Sequence, residues 1–90
     1  MIKIVSAQYN GDYCIDLEFS DGASGTYDLK QLLFLYDTTL TIPLRDFEQF
    51  KKFFLHSGAL CWKNGLELDP LAIYRDIEQV GMLYQIKNAA

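Results

Sequence analysis

Tyr9-Asn10-Gly11-Asp12-Tyr13-Cys14-Ile15-Asp16-Leu17-Glu18-Phe19-Ser20-Asp21-Gly22-Ala23-Ser24-Gly25-Thr26-Tyr27 decides how this chain folds. Apolar and polar residues alternate through its middle. Tyr13, Ile15, Leu17 and Phe19 take one face of a strand, and Cys14, Asp16 and Glu18 take the other. Asn10-Gly11 and Ser20-Asp21-Gly22 are turn signals on either side. Three antiparallel strands are therefore predicted over residues 2–9, 12–19 and 23–27. A three-residue loop built as a type I turn plus a left-handed glycine suits both Tyr9-Asn10-Gly11 and Ser20-Asp21-Gly22. The first loop pairs Ala7 with Tyr13 and Val5 with Ile15. The second pairs Phe19 with Ala23, Leu17 with Gly25 and Ile15 with Tyr27. All these residues then share one face, which a one-residue slip would destroy.

Downstream, Asp28 is placed to cap a short helical turn through Leu29–Leu33. Residues 34–43 are less regular, and Pro43 opposes a helix through them. Asp46 with Gln49 resembles a capping box, and Phe47, Phe50 and Phe54 follow at helical spacing until His56-Ser57-Gly58. Ala59–Trp62 and Leu66–Leu68 read as a hairpin around Lys63-Asn64-Gly65. A three-residue loop puts Leu60, Trp62, Leu66 and Leu68 on one face. Asp69-Pro70 opens a last helix carrying Leu71, Tyr74 and Ile77, with Gly81 as its stop. Met82–Ala90 reads as a short extension or a frayed tail. The expected fold is α+β: a three-stranded meander, a helix, a second β-hairpin and a C-terminal helix, in one compact domain spanning residues 1–90 with 81–90 as its tail.

Bulk properties narrow the functional classes. The chain has 90 residues, of which 50% are hydrophobic, so a packed core is expected rather than disorder. Twelve acidic residues oppose eight basic ones, for a net charge of −4. The basic residues are scattered, which disfavours direct nucleic-acid contact, and the acidic balance suits a basic protein partner or no charged partner at all. Residues 1–6 turn polar too soon for a signal-peptide hydrophobic region. No window holds the roughly 20 apolar residues of a membrane span. Reduced cysteines and a cytoplasmic location are the expectation.

Catalytic parts are scarce. His56 is the single histidine, and nothing in the sequence positions it against Cys14, Cys61 or Ser57. Neither cysteine belongs to a Cys-x-x-Cys pair. Most carboxylates sit at turns, caps or the outer face of a strand. Gly22 and Gly25 lack the context of a phosphate loop. No catalytic residue, metal or cofactor is assigned. Three residues are taken as candidate binding residues: Trp62, because tryptophan is enriched at binding hot spots; Glu67, between Leu66 and Leu68 and close to Trp62 in sequence; and Tyr74.

Phe19-Ser20-Asp21-Gly22 followed by Tyr27-Asp28-Leu29, and then Gly58–Pro70 with Ile73-Tyr74, resembles a small bacterial family, the domain of unknown function 2442 group. Leu44-x-Asp46 and Phe50 match the link between the halves, and the likeness covers about residues 1–75. The resemblance implies a compact α+β domain and no catalytic residues. Some members precede a helix-turn-helix region, for which residues 75–90 are too few, and some resemble antitoxins encoded beside a small toxin-like protein. Residues 34–43 are a local variation on the pattern. Two readings follow. The first is a non-enzymatic protein-interaction module, antitoxin-like with a small basic toxin-like partner, or self-associating as a homodimer, using a strand edge or a patch around Trp62. The alternative is a small-ligand-binding or enzymatic domain with a pocket near Trp62 and Tyr74.

Overall fold

The computed structural model describes residues 1–80 and 83–85. Strands β1 (Ile4–Gly11), β2 (Cys14–Phe19) and β3 (Ala23–Asp28) form the expected antiparallel meander. Helix α1 (Lys30–Leu35) and a 3-10 turn (Ile42–Arg45) lead to the single-turn helix α2 (Phe47–Phe50). Strands β4 (Phe54–His56), β5 (Ala59–Cys61) and β6 (Glu67–Leu68) make a second antiparallel sheet. Helix α3 (Pro70–Gln79) and strand β7 (Leu83–Gln85) follow. The first sheet has the order β1-β2-β3-β7. The architecture is α+β.

Two of the three expected registers hold. Ile15 faces Tyr27 and Leu17 faces Gly25, around a turn in which Gly22 takes a φ of +90°. Leu60 pairs with Leu68, and the Trp62 amide donates to the Leu66 carbonyl at 2.9 Å, so the three-residue loop at 63–65 is right. Leu60, Trp62 and Leu66 are buried together, and Leu68 packs against them.

The first hairpin departs from expectation. Ala7 pairs with Leu17 and Ile15 with Tyr9, where the Tyr9-Asn10-Gly11 loop would pair Ala7 with Tyr13 and Ile15 with Val5. The turn is instead Asp12-Tyr13, both at positive φ (52° and 64°), between the paired Gly11 and Cys14. A left-handed tyrosine costs on the order of 1–2 kcal/mol. Packing outweighs it. In this register the Tyr9 ring meets Phe50 at 5.8 Å, and Tyr13 stacks on Phe47 at 4.5 Å while its hydroxyl donates to the Arg45 carbonyl. A bulge between Ile4 and Ser6 also turns Val5 to solvent and puts Ile4 in the core, so Val5 does not face Ile15.

The second helix is shorter than its phenylalanine spacing predicts. The Asp46 carboxylate accepts from the Glu48 amide at 3.1 Å, as a cap should, but the helix ends after one turn. Phe54 belongs to β4, and Ser57-Gly58 turns the chain into β5 instead of closing a helix. A single register of phenylalanines cannot distinguish the two outcomes; the third strand wins because it covers β5 and because the Gly58 carbonyl accepts the Ile4 amide at 2.9 Å, joining the two sheets. The second hairpin is thus a three-stranded sheet.

The remaining elements follow their local chemistry. The Asp28 carboxylate accepts from the Lys30 amide at 2.9 Å, and α1 runs two residues further than Leu33. Asp69 caps α3 by accepting from the Ala72 amide at 3.1 Å. The buried face of α3 is Ile73 and Ile77, with Tyr74 partly covered, whereas Leu71 is exposed. In the closing segment, Leu83–Gln85 pairs with β3 and is an extension, not a frayed tail. Gly81 as the helix stop, and the rest of that segment, lie outside the described residues.

One core draws on every layer. Ile15, Leu17 and Phe19 of β2 pack with Leu29, Leu33, Phe50, Leu60, Ile73 and Ile77, all fully buried. Phe50 lies at its centre, in ring contact with Tyr9, Tyr13, Phe53 and Trp62. The Trp62 indole N–H donates to the Phe50 carbonyl at 2.8 Å. Trp62→Phe is therefore expected to cost about 1–3 kcal/mol in denaturant unfolding, since it leaves that buried carbonyl unpaired. Phe50→Ala is expected to cost about 3–5 kcal/mol. Gly58→Ala should destabilise more than Gly22→Ala. Both positions have positive φ, but only at Gly58 would the new methyl meet a neighbour, 2.5 Å from Lys3 Cβ.

Candidate functional site

The three residues singled out from the sequence lie in different surroundings. Trp62 is 3% exposed, wedged between Phe50 and Phe53, and is a core residue and not an uncovered patch. The hollow beside its edge is about 140 Å³, bordered by Leu44, Gln49, Lys52 and Asn64. Tyr74 is half-buried elsewhere, edge-on to Phe19 at 5.0 Å, with its hydroxyl donating to Asp21 Oδ2 at 2.6 Å. Glu67 is exposed and paired across the strand with Cys61, away from the Trp62 face. Among the described residues, none of the four main hollows is lined by two of the three.

Nucleophile chemistry is also poorly served. Burial pushes the Cys14 thiol above its ordinary range, and Asp28 and Asp12 push the same way. Burial and then Glu67 do the same to Cys61. Raised thiols are held in their unreactive protonated form. His56 is exposed on β4 opposite Ala59. Among the described residues no three His, Cys, Asp or Glu side chains gather closely enough to hold a metal ion. Among the same residues no helix is long and apolar enough to cross a membrane.

A different surface stands out. Phe34, Leu35, Tyr36, Leu40, Ile42 and Phe47 are each between 38% and 63% exposed, and all fall within residues 34–47. Helix α1 explains the first two. Leu32-Leu33-Phe34-Leu35 is apolar all round, yet only Leu33 is fully buried, so its neighbours must face outward. Phe34 is not loose. Its ring meets Tyr13 edge-on at 5.4 Å, and the Arg45 guanidinium lies 5.1 Å from its centre.

Hydrogen bonds, rather than apolar burial, hold the segment that follows. Arg45 donates from Nε to the Leu33 carbonyl at 2.7 Å and from one terminal nitrogen to the Tyr36 carbonyl at 3.2 Å, and it pairs with Asp37 at 2.6 Å. The buried Thr41 hydroxyl donates to the Tyr36 carbonyl. Asn64 donates to the Leu40 carbonyl at 3.1 Å and to that of Thr39 at 3.3 Å. The backbone is fixed, and its apolar side chains remain outside.

Two open grooves flank the exposed edge of α1. One, of about 560 Å³, is lined by Tyr13, Phe34 and Leu35, with Asp12, Asp28 and Lys30 at its rim. The other, of about 310 Å³, lies between Tyr27, Leu32, Leu35 and Tyr36, with Asp28 and Asp76 at its rim. Asp28, Gln31 and Leu35 belong to both. Sequence reading missed this surface, although the run of five apolar residues at 32–36 is a usable signal, because a short helix cannot bury all of them.

The family model described as "Protein of unknown function (DUF2442)" matches residues 4–79, and the chain belongs to that family. No curated protein and no solved structure matches it.

The two tyrosine–aspartate bonds that clamp α3 give a pH signature. The Tyr27 hydroxyl donates to Asp76 at 3.1 Å, and burial followed by the Asp76 charge pushes its pKa from 10.0 up to about 12. A raised folded-state pKa stabilises fully below the ordinary value and loses that contribution as pH rises through the folded one. Stability should therefore fall between pH about 10 and 12 more steeply in the parent than in Tyr27→Phe. The Tyr74 hydroxyl bond holds Asp21 below its usual range, so that contribution is present at neutral pH and disappears on acidification. Urea midpoints across pH measure both limbs, and equal alkaline slopes for parent and Tyr27→Phe would contradict the assignment.

Proposed function

Taking that family membership as the premise, we propose that this domain is a non-enzymatic protein-interaction module and that residues 34–47 with α1 form its contact surface. The observation that carries the reading is the concentration of exposed apolar side chains in this one segment. Burying them against a partner would recover apolar area at about 25 cal/mol per Å². Such patches on small domains are characteristic of contact surfaces. Because the backbone beneath them is already held by Arg45, Thr41 and Asn64, little ordering cost falls on the binding step. The chain's net charge of −4 supports a small basic protein as the partner, in a cytoplasmic setting.

A photo-reactive phenylalanine analogue at position 35, compared with one at position 18 on the exposed face of β2, tests the reading in the cells that make the protein. The expected result is an adduct with one small basic protein at position 35 and none at 18, reproduced with both purified proteins. Adducts at both positions alike, or none at 35, would overturn it.

A further inference from the structure

The chemistry around α1 says more about the partner than that it is a protein, and this step rests on the interaction reading just given. The rims of the two grooves carry Asp12, Asp28 and Asp76 against one cation, Lys30. That cation is already engaged, its Nζ lying 2.9 Å from Asp12. The nearby Arg45 and Asp37 neutralise one another. Between the rims lie the apolar walls made by Tyr13, Phe34 and Leu35. An apolar centre bordered on both sides by carboxylates is complementary to a segment of the opposite design.

We propose that this surface binds a cationic amphipathic segment of a partner protein, one aliphatic or aromatic side chain entering the groove between Tyr13, Phe34 and Leu35 while flanking Lys or Arg residues reach Asp12 and Asp28 on one side and Asp76 on the other. The rim charges set the choice of occupant. A second copy of this chain would bring the same surplus of carboxylates against itself, and like charges in apposition oppose pairing. Lys30 acts as an internal competitor, since it occupies Asp12 where an incoming cation would sit.

A labelled peptide of about fourteen residues with Leu and Lys at helical spacing, long enough for roughly four turns, serves as the probe. A Leu/Glu peptide and a Ser/Lys peptide of the same length test the charge and the apolar requirement separately. Fluorescence anisotropy should show binding of the Leu/Lys peptide, weakening with salt, and much weaker binding of the other two. Asp12→Asn with Asp28→Asn and Asp76→Asn removes the charge while leaving one acceptor oxygen at each position, and should weaken binding by about tenfold or more, as should Phe34→Ser with Leu35→Ser. Asp16→Asn with Glu18→Gln, on the far face of the meander, should change nothing.

Lys30→Gln should tighten binding several-fold, a gain that misfolding cannot produce. Equal binding of the Leu/Lys and Leu/Glu peptides, equal losses from the far-face variant, or no binding of any peptide would reject the cationic segment. The crosslink at position 35 would still stand or fall separately. Sedimentation showing a dimer that Phe34→Ser dissociates would replace the basic partner by a second copy and overturn the proposal.

Discussion

The indole N–H of Trp62, donating to the Phe50 carbonyl at 2.8 Å, is the constraint from which the rest of the structure follows. It fastens the β5–β6 turn onto the end of α2 and fixes Phe50 beneath the meander, where Tyr9 and Tyr13 close over its ring. That closure requires Tyr9 to face inward. The first hairpin accordingly turns at Asp12-Tyr13, accepting a left-handed tyrosine in exchange for two aromatic contacts and a hydroxyl bond to the Arg45 carbonyl. Local turn preference of the order of a kcal/mol yields to a buried aromatic cluster, as the magnitudes require.

The same arrangement explains why apolar side chains remain outside. Once Phe50, Leu33 and Leu29 fill the space under the first sheet, no inward volume remains for Phe34, Leu35 or Phe47. The chain from Tyr36 to Thr41 is kept in place by Arg45, Thr41 and Asn64 acting on its carbonyls. Satisfied backbone groups and unsatisfied apolar surface coexist there. This is the physical difference between an ordered apolar surface and a loop that has merely failed to pack.

Legibility from the sequence tracked the range of the interactions involved. The Ser20-Asp21-Gly22 and Lys63-Asn64-Gly65 turns and the Asp69-Pro70 helix start are local chemistry, and each was readable. Asn10-Gly11 misled, because its usual turn competes with the burial of Tyr9 against Phe50, a contact made forty residues away. Phe47, Phe50 and Phe54 misled for a similar reason: a spacing of three and four residues suits a helix, but the partner strand β5 and the Ile4–Gly58 bond decide for β4. Trp62 stands out in the sequence, and its importance is structural. The apolar run at 32–36 carries part of the exposed surface in the sequence, but the bonds from Arg45 back to the Leu33 and Tyr36 carbonyls, which hold the segment, have no signature in local sequence.

Trp62 lies in the core and the exposed apolar side chains lie on α1 and the segment after it, which divides the molecule into a packed part and the surface proposed to meet a partner. Amide and indole hydrogen exchange followed by NMR in the free domain tests that division most directly. The Trp62 indole proton should exchange only through global unfolding, with protection matching the slowest amides of β2. An indole proton that exchanges freely in the folded domain would mean that Trp62 reaches solvent, and the assignment of core and contact surface would be contradicted.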